Sequence, residues 1–368
     1  MHVGVPKEIK DNEFRVGLTP SITGELVARG HRVTVERQAG AGAGFSDDDY
    51  RNAGAEIADR ADSIFSQAEL IVKVKEPLTT ERKLLRRGQV LFTYLHLAPD
   101  PEQTKALMES GVVAIAYETV TDRDGRLPLL TPMSEVAGRM AAQIGAQYLE
   151  RPHGGRGILL GGVPGVMPAE VLVIGSGTVG GNAALIASGM GAVVTVIAPD
   201  PDFLRPIAAR FGTAVRTLVS TPDTVDALCR RADLVIGAAL VPGATAPKVV
   251  KAETVKTMKR GAVIVDVAID QGGNAETSRP TTHSHPTYIE HGVVHYCVTN
   301  MPGAVPRTST FALTNATRPF VLALADKGWR KALAENSHLR NGLNVLDGNI
   351  THSAVAEALK LPYKPPEL

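Results

Sequence analysis

Short apolar runs alternate with longer amphipathic stretches along the chain, a pattern typical of α/β proteins. In the first third of the sequence this pattern predicts strands at residues 33–35, 70–74, 90–93 and 112–116. Helical spacing between these runs predicts helices near residues 20–29, 61–67 and 101–110. Residues 1–130 should therefore form one α/β unit.

A long helix is predicted to start after Thr131, which is an acceptable N-cap residue. Pro132 suits the first helical position because its missing N–H needs no partner there. Apolar residues continue at helical spacing and predict a buried stripe of Met133, Val136, Met140, Ile144 and Tyr148. The glycine- and proline-rich stretch 151–167 then predicts a loop.

From residue 170 the sequence reads strand, glycine turn, helix, strand. Apolar residues 171–174 lead into Gly175, Gly177 and Gly180, which are spaced as G-x-G-x-x-G; an alanine-rich helix and a strand at 193–197 follow. The first glycine of this motif allows the tight turn, the second lets a pyrophosphate approach the backbone, and the third lets helix and strand pack closely. The helix N-terminus offers free N–H groups to phosphates. The motif predicts a dinucleotide-binding site.

The second strand of this motif ends without the acidic residue that normally binds the adenosine ribose of NAD. Ala198 occupies that position, and Asp200 follows it either as a substitute or as a turn residue. Loss of the carboxylate also removes a repulsion against the 2′-phosphate of NADP, but Arg205 is the first cation after Ala198. NAD is the preferred prediction, and NADP is the alternative.

The length of the chain indicates the number of domains, and its charge balance bears on whether it binds nucleic acid. The 368 residues favour two domains, with further strands at 234–236 and 263–265 and a helical region at 309–333. The 39 Lys and Arg residues nearly balance the 38 Asp and Glu residues. This balance gives no support for a nucleic-acid partner, whose binding surface needs a clustered basic excess.

The remaining composition predicts a cytoplasmic protein without a metal site. Cys229 and Cys297 are the two cysteines, too few for a disulfide framework or a four-thiolate zinc site. The N-terminus becomes charged at once and has no apolar signal segment. The sequence has no run of about 20 strongly apolar residues, so it predicts no membrane span. The ten histidines are scattered and suggest no metal ligand set.

Four polar residues follow predicted strands or a strand-like opening: Arg15, Lys75, His96 and Asp270. In α/β proteins, ligands bind at the carboxyl ends of the parallel strands. Each residue alone also has a structural explanation, since most arginines are surface charges and most single histidines are hydrogen-bonded structural residues.

Several longer motifs resemble the bacterial L-alanine dehydrogenases over residues 1–335. They are VPKE (5–8), EFRV (13–16), VKEP (74–77), TYLH (93–96), DVAIDQGG (266–273), SRPTT (278–282), NMP (300–302) and ALTNAT (312–317). The resemblance implies two Rossmann-like α/β domains and a homohexamer. The dinucleotide-binding parallel-sheet domain (131–304) would be inserted into a discontinuous substrate domain (1–130 and 305–368).

The resemblance also implies a reaction: reversible oxidative deamination of L-alanine to pyruvate and ammonia with hydride transfer to NAD. Arg15 would bind the substrate carboxylate, and Lys75 would contact the carboxylate and the carbonyl oxygen. His96 would be the general acid and base, because histidines titrate near neutral pH. Asp270 would position ammonia or water. The family places Met133 and Asn300 near the substrate.

For the cofactor, the resemblance adds contacts at Ser134, Thr178, Val179, Ser220, Ala239, Leu240, Val267, Asp270, Arg279, Val298 and Met301. The sequence departs from the family pattern at Ala198, in place of an aspartate, and at Phe203, in place of a frequent lysine. Both departures concern the adenosine end of the cofactor, so they bear on the choice between NAD and NADP.

Two alternatives stay open from the sequence. One is a non-catalytic nucleotide-binding module, similar to the NAD-binding domain of proton-translocating transhydrogenase. The other keeps the enzyme class but changes the substrate to another small L-amino acid, or to a lysine-derived one as in saccharopine dehydrogenases.

Overall fold

The computed structural model describes residues 1–240 and 245–367. The chain divides into two compact units. The first unit consists of Met1–Met133 together with Gly303–Leu368, and the second unit is Ser134–Pro302. The first unit is thus built from both ends of the chain.

The strands of the described residues are β1 (His2–Val5), β2 (Arg32–Glu36), β3 (Glu56–Ala58), β4 (Leu70–Val72), β5 (Val90–Thr93), β6 (Val113–Ala116), β7 (Glu170–Ile174), β8 (Val193–Ala198), β9 (Val215–Val219), β10 (Leu234–Gly237), β11 (Val263–Asp266), β12 (Thr287–Glu290), β13 (Val293–Tyr296), β14 (Leu343–Leu346) and β15 (Asn349–Ile350).

The α-helices of the described residues are α1 (Pro20–Ala28), α2 (Asp47–Asn52), α3 (Ala61–Gln67), α4 (Thr79–Arg82), α5 (Pro101–Ser110), α6 (Thr131–Tyr148), α7 (Thr178–Gly189), α8 (Pro201–Phe211), α9 (Pro222–Arg231), α10 (Ala252–Lys256), α11 (Pro306–Lys327), α12 (Trp329–Glu335), α13 (Ser337–Arg340) and α14 (Ser353–Leu359).

The first unit contains a sheet in the order β15-β14-β6-β5-β4-β1-β2-β3. Strands β1 to β6 pair in parallel, whereas β14 pairs antiparallel with β6 and β15. All residues of β4, β5 and β6 are buried, as expected for parallel strands that are covered on both faces. Ile71, Leu91 and Ala114 pack there in one core with Phe65 and Leu107.

The second unit contains a sheet in the order β12-β13-β11-β10-β7-β8-β9. Its strands are parallel except β12, which pairs antiparallel with β13. The core on one face includes Leu172, Ile197, Val235 and Ile264. Helices cover parallel strands in both units, which confirms the predicted fold class of two Rossmann-like α/β domains.

The predicted strand 70–74 ends at Val72 in the structure, and two helix predictions also differ. The single helix predicted at 309–333 is two helices, α11 and α12, because Gly328 adopts a left-handed φ of 72° and ends α11. Thr131 is itself the first residue of α6, and its hydroxyl donates to the Leu127 carbonyl oxygen at 3.0 Å. Within the described residues, no helix combines the length and apolar character needed to cross a membrane.

Candidate active site

Arg15 is a buried cation of the first unit, with 2% of its surface exposed. Glu13 holds its guanidinium in a two-pronged contact, with Nε–Oε1 at 2.6 Å and Nη2–Oε2 at 2.5 Å. Nη1 points to the Met133 sulfur at 3.0 Å. Burial lowers the pKa of Arg15, but the hydrogen bonds and charge of Glu13 outweigh this effect and raise it. The predicted substrate residues Arg15 and Met133 are therefore in contact.

Lys75 follows β4 and is a second cation close to Arg15. Burial lowers the pKa of Lys75, and the positive charge of Arg15 lowers it further. The Nζ atom makes no side-chain hydrogen bond or ion pair to the residues that the structure describes. Lys75 is half-buried, and its ammonium group is thus available to an anionic ligand.

His96 follows β5 and has an unusual backbone conformation. Its φ is 49°, in the left-handed region that non-glycine residues rarely adopt. The Glu118 carboxylate supports this turn by accepting the His96 N–H at 2.6 Å and the Leu95 N–H at 3.2 Å. The imidazole stacks on Tyr94 with ring centroids 5.8 Å apart, and its side chain is 46% exposed. A strained backbone that presents an accessible imidazole is typical of a functional site.

The three predicted glycines of the second unit lie in the turn between β7 and α7. Gly175 has a φ of 104°, and a Cβ on it would lie 2.6 Å from the Ala238 carbonyl oxygen. A Cβ on Gly180 would lie 1.9 Å from the Gly175 oxygen, whereas a Cβ on Gly177 would meet no atom within 4 Å. Gly175 and Gly180 are thus required by the turn itself, and Gly177 leaves an open approach to the backbone.

The N-terminus of α7 carries no side-chain cap, since its N-cap residue is Gly177. Its first N–H groups and positive dipole end face the same open space, where Thr178 is exposed and Val179 half-buried. An uncapped helix N-terminus beside an open glycine fits a pyrophosphate group. The described residues therefore suit the phosphates of a dinucleotide.

Ala198 and Asp200, the residues predicted to lie near the adenosine, stand at the end of β8 and the start of α8. Ala198 ends β8 and is buried, so no carboxylate stands there. Asp200 caps α8, and its Oδ1 accepts the Asp202 N–H at 2.8 Å. Arg205 pairs with Asp202 at 2.9 Å on the surface, and Phe203 is exposed. Asp200 is therefore the N-cap residue of α8, a role that the sequence analysis did not assign, and a ribose contact at Asp200 stays a prediction.

The loop after β11 is organised by the buried carboxylate of Asp266. Its Oδ2 accepts from the Ser278 hydroxyl at 2.6 Å and from the Asn274 N–H at 2.7 Å. Burial raises the pKa of Asp266, although these hydrogen bonds oppose the shift. Asp270 lies on the 3₁₀ turn Val267–Gln271 and is exposed.

The side chain of Asn274 holds the backbone of Ala239, a predicted cofactor residue, through one accepted and one donated hydrogen bond. Its Oδ1 accepts the Ala239 N–H at 2.8 Å, and its Nδ2 donates to the Ala239 oxygen at 2.9 Å. The guanidinium of Arg279 stacks over the Tyr288 ring at 3.6 Å. Ala239 and Arg279 are thus both held by neighbours in the second unit.

The other predicted residues of the second unit are distributed over several strand ends and loops. Ser134 is half-buried on α6, Ser220 directly follows β9, Leu240 is exposed beyond β10, Val267 follows β11, and Val298 and Met301 are buried beyond β13. Asn300 has a left-handed φ of 59°, and its carbonyl oxygen contacts His283 Nε2 at 3.1 Å. Ser220, Ala239 and Val267 thus lie at the carboxyl ends of parallel strands, where α/β sheets bind ligands.

Three charged residues near these sites have no role in the sequence prediction: Glu13, Lys73 and Glu118. Glu13 stands in a polar stretch of the sequence, whereas Glu118 follows the predicted strand 112–116 by two residues, a position shortly after a strand like those that marked Lys75 and His96. Lys73 also gives a signal, because it interrupts an otherwise apolar run, 70–74, that is expected to be buried. Within the described residues, no group of histidine, cysteine or carboxylate side chains is arranged to hold a metal ion.

An uncapped, glycine-lined helix N-terminus on a parallel sheet defines a dinucleotide-binding protein. The other α/β unit adds a buried arginine, a half-buried lysine and an accessible imidazole, the groups of an oxidoreductase site. The chain belongs to the alanine dehydrogenase/PNT family: the model of the family's N-terminal domain matches residues 4–137, and that of the C-terminal domain matches residues 141–353. Membership implies a nicotinamide dinucleotide cofactor, which the glycine turn fits.

Relatives with assigned functions match almost the whole chain. An alanine dehydrogenase of Mycolicibacterium smegmatis is 56% identical over 363 residues, covering 99% of this chain and 98% of the relative. One of Bacillus subtilis is 58% identical over 369 residues, covering 100% and 97%. The solved structure of an L-alanine dehydrogenase matches with a TM-score of 0.95 and 52% identity, covering 98% of this chain and 99% of that one. A transhydrogenase structure from Sinorhizobium meliloti, with a TM-score of 0.84 and 23% identity, shares the fold.

Proposed function

We propose that the chain is an alanine dehydrogenase, which converts L-alanine, water and NAD⁺ into pyruvate, ammonium, NADH and a proton, and catalyses the reverse reaction. The full-length similarity to curated alanine dehydrogenases supports this reaction class. One observation in the structure carries the proposal: the buried Arg15 and the half-buried Lys75 are two cations near each other in the first unit. A small 2-oxo acid with one carboxylate and one carbonyl oxygen suits this pair.

The second unit would hold the cofactor through its glycine turn and the N-terminus of α7. Gly175, Gly177 and Gly180 would place backbone N–H groups against the pyrophosphate, with Thr178 and Val179 beside them. The proposed further contacts are Ser134, Ser220, Ala239, Leu240, Val267, Asp270, Arg279, Val298 and Met301. When bound, the nicotinamide ring would accept a hydride from C2 of alanine.

Arg15 and Lys75 would bind the substrate together, Arg15 at the carboxylate and Lys75 at both the carboxylate and the oxygen on C2. Glu13 fixes the plane of the Arg15 guanidinium, which would bind the substrate carboxylate with Met133 beside it. Lys75 would donate from Nζ to the carboxylate and to the oxygen on C2. Its positive charge stabilises the negative charge that develops on this oxygen when ammonia adds to the carbonyl carbon C2 or, in the reverse direction, leaves it. Asn300 would contact the same substrate.

His96 would transfer the protons. Its Nδ1 lies 3.9 Å from Glu118 Oε1, so Nε2 is the atom left to exchange a proton with the substrate. In deamination, His96 would take a proton from the water that attacks C2 of the imino acid, and it would return a proton to the leaving ammonia. Asp270 would hold the water or ammonia in place and share these proton transfers.

We propose NAD as the cofactor in preference to NADP. Ala198 supplies no carboxylate to bind a ribose, but Arg205 is paired with Asp202 and Phe203 brings no charge. A 2′-phosphate would therefore find no cation on the segment 198–204. This absence outweighs the missing carboxylate, because a doubly charged phosphate needs a partner more than a neutral ribose does.

We also propose a cytoplasmic homohexamer, as the family resemblance implies. The loop 158–167 supports self-association, because it exposes the large apolar residues Leu159, Val163, Val166 and Met167. Both cysteines are buried free thiols, which agrees with a reducing compartment.

A kinetic comparison tests the proposal. The purified protein should oxidise NADH only when pyruvate and ammonium are both present, and kcat/KM should be higher for NADH than for NADPH. Glyoxylate, 2-oxobutyrate and 2-oxoglutarate should be poorer substrates than pyruvate. Absence of ammonium-dependent oxidation with any 2-oxo acid would instead favour a nucleotide-binding module.

A further inference from the structure

A second lysine, two residues before Lys75, is completely enclosed. Lys73 has 0% exposed surface, and its Nζ contacts Glu8 Oε2 at 3.2 Å and Glu81 Oε1 at 2.7 Å. Both carboxylates are also buried. The ammonium group of Lys73 is therefore committed to protein carboxylates, and it has no contact to offer to a substrate.

The two carboxylates also accept hydrogen bonds from backbone N–H groups on both sides of Lys75. Glu8 Oε1 accepts the N–H of Val74 at 2.7 Å and that of Lys75 at 3.4 Å. Glu81 Oε2 accepts the Leu78 N–H at 2.8 Å, at the start of α4. Each carboxylate thus uses one oxygen for the buried lysine and the other for the segment 74–78.

The neighbouring strand end completes this support. The Thr93 hydroxyl donates to the Lys75 carbonyl oxygen at 2.9 Å, and the Tyr94 N–H donates to the Val74 oxygen at 3.3 Å. The backbone of Lys75 is therefore held at its N–H and its carbonyl group. By contrast, its Nζ makes no hydrogen bond to the described residues.

Burying three charged groups is not the most stable way to fill this space. Desolvation of buried ion pairs often costs more than their attraction returns, and apolar residues of similar volume are often at least as stable. Geometric precision is a better reason for the arrangement, because charge-assisted hydrogen bonds fix both distance and direction.

We propose that Glu8 and Glu81, joined through Lys73, are positioning residues that fix Lys75 Nζ against the carboxylate and C2 oxygen of the substrate. The three groups do not touch the substrate themselves. This inference rests on the role of Lys75 in the proposed function. Loss of one carboxylate would let the segment 74–78 shift, and an error of about 1 Å in a reacting group can cost about 100-fold in rate.

A double-mutant cycle with Glu8→Gln and Lys75→Met tests the proposal. Glu8→Gln keeps the side-chain volume and one acceptor oxygen for the Val74 N–H, but the NH₂ group that replaces the second oxygen is a donor and cannot accept from Lys73. It should lower kcat/KM for pyruvate about 10- to 100-fold, mainly through a higher KM. The Kd of NADH should not change. If Glu8→Gln fails to fold, Glu81→Gln takes its place in the same cycle.

The cycle separates positioning from general stability. If Glu8 acts through Lys75, adding Glu8→Gln to Lys75→Met should change kcat/KM by less than about twofold. An equal loss in both backgrounds, or wild-type kcat/KM in Glu8→Gln alone, overturns the inference. Wild-type activity of Lys75→Met would instead overturn the proposed function.

A matched control is available in the second unit. Asp233 is likewise a buried carboxylate that accepts a backbone N–H, from Glu170 at 2.9 Å, and a lysine Nζ, from Lys259 at 2.8 Å. Asp233→Asn should lower the melting temperature but leave the KM of pyruvate unchanged. A rise in that KM equal to that of Glu8→Gln would show that loss of any buried carboxylate has the same effect, and would contradict a specific role of Glu8.

Discussion

The first unit presents charged side chains, one buried and one half-buried, to its proposed ligand, whereas the second presents open backbone. Arg15 and Lys75 are desolvated and are held by carboxylates or by neighbouring backbone. The start of α7 offers backbone N–H groups, and Gly177 has no side chain to block the approach to them. A small substrate with few atoms needs strong, directed charges for recognition. A dinucleotide is large, and its phosphates can be held by a helix N-terminus.

This difference predicts that changes in the two units separate kinetically. The largest effect is expected for His96→Ala, which removes the proposed proton donor and acceptor of the first unit. The kcat should fall about 10²- to 10⁴-fold, while the Kd of NADH, measured by fluorescence titration, should stay unchanged. The exposed His285 provides the control variant His285→Ala, which should keep full turnover. An unchanged kcat in His96→Ala contradicts the assigned role.

Two glycine variants probe the backbone site of the second unit. Gly180→Ala forces a Cβ to within 1.9 Å of the Gly175 oxygen, so overpacking should lower stability by about 1–3 kcal/mol. Gly177→Ala meets no protein atom within 4 Å, so its melting temperature should match the wild type. Its Kd for NADH should nevertheless rise about tenfold, a loss of about 1.4 kcal/mol, because the methyl group occupies the approach of the pyrophosphate.

Calorimetry and thermal unfolding of the same samples check this pair. A Gly177→Ala variant that binds NADH as well as the wild type would mean that the pyrophosphate does not approach Gly177. The comparison between side-chain and backbone recognition would then fail on the second unit.

The pH dependence of pyruvate binding tests the charge of Lys75. Burial and Arg15 lower the pKa of Lys75, so its protonated, binding-competent form is lost as pH rises, at a lower pH than for an ordinary lysine. The affinity for pyruvate should therefore fall on the alkaline side of the profile. Lys75→Arg stays charged throughout, so the alkaline fall should move upward or vanish even if binding is weaker overall.

Titration of pyruvate into the NADH-bound protein without ammonium gives this profile, since the titration of ammonia does not enter. The control is the Kd of NADH over the same pH range. An alkaline fall that is identical in Lys75→Arg and in the wild type would assign it to another group.

The smallest effect is expected at the adenosine end. Ala198→Asp restores a carboxylate that can accept hydrogen bonds from the ribose, and it repels a 2′-phosphate. The ratio of kcat/KM for NADH to that for NADPH should rise about tenfold, with kcat unchanged. A ratio that stays constant would mean that this strand end does not contact the ribose.

The same contrast explains what the sequence can predict. The glycine turn is readable because its residues are adjacent and each spacing has one backbone purpose. Arg15, Lys75 and His96 are visible as polar residues after predicted strands, but their contacts with neighbours are not. Glu118 reaches His96 from 22 positions away in sequence, and only the order of β5 and β6 in the sheet brings them together.

Other features depend on competition between local structures. The sequence presents Asp200 as a ribose partner or a turn residue, and the structure adds a role as the N-cap of α8, which starts directly after it. The break between α11 and α12 comes from Gly328, whose left-handed φ interrupts an otherwise continuous helical pattern.

The most direct test of the account is the stoichiometry of the proposed reaction. The purified chain is supplied with pyruvate, ammonium and limiting NADH, and the NADH consumed and the L-alanine formed are measured in the same sample. We expect one alanine per NADH, and no consumption when ammonium is omitted. NADH oxidation that forms no alanine, or that proceeds equally without ammonium, would contradict the assignment.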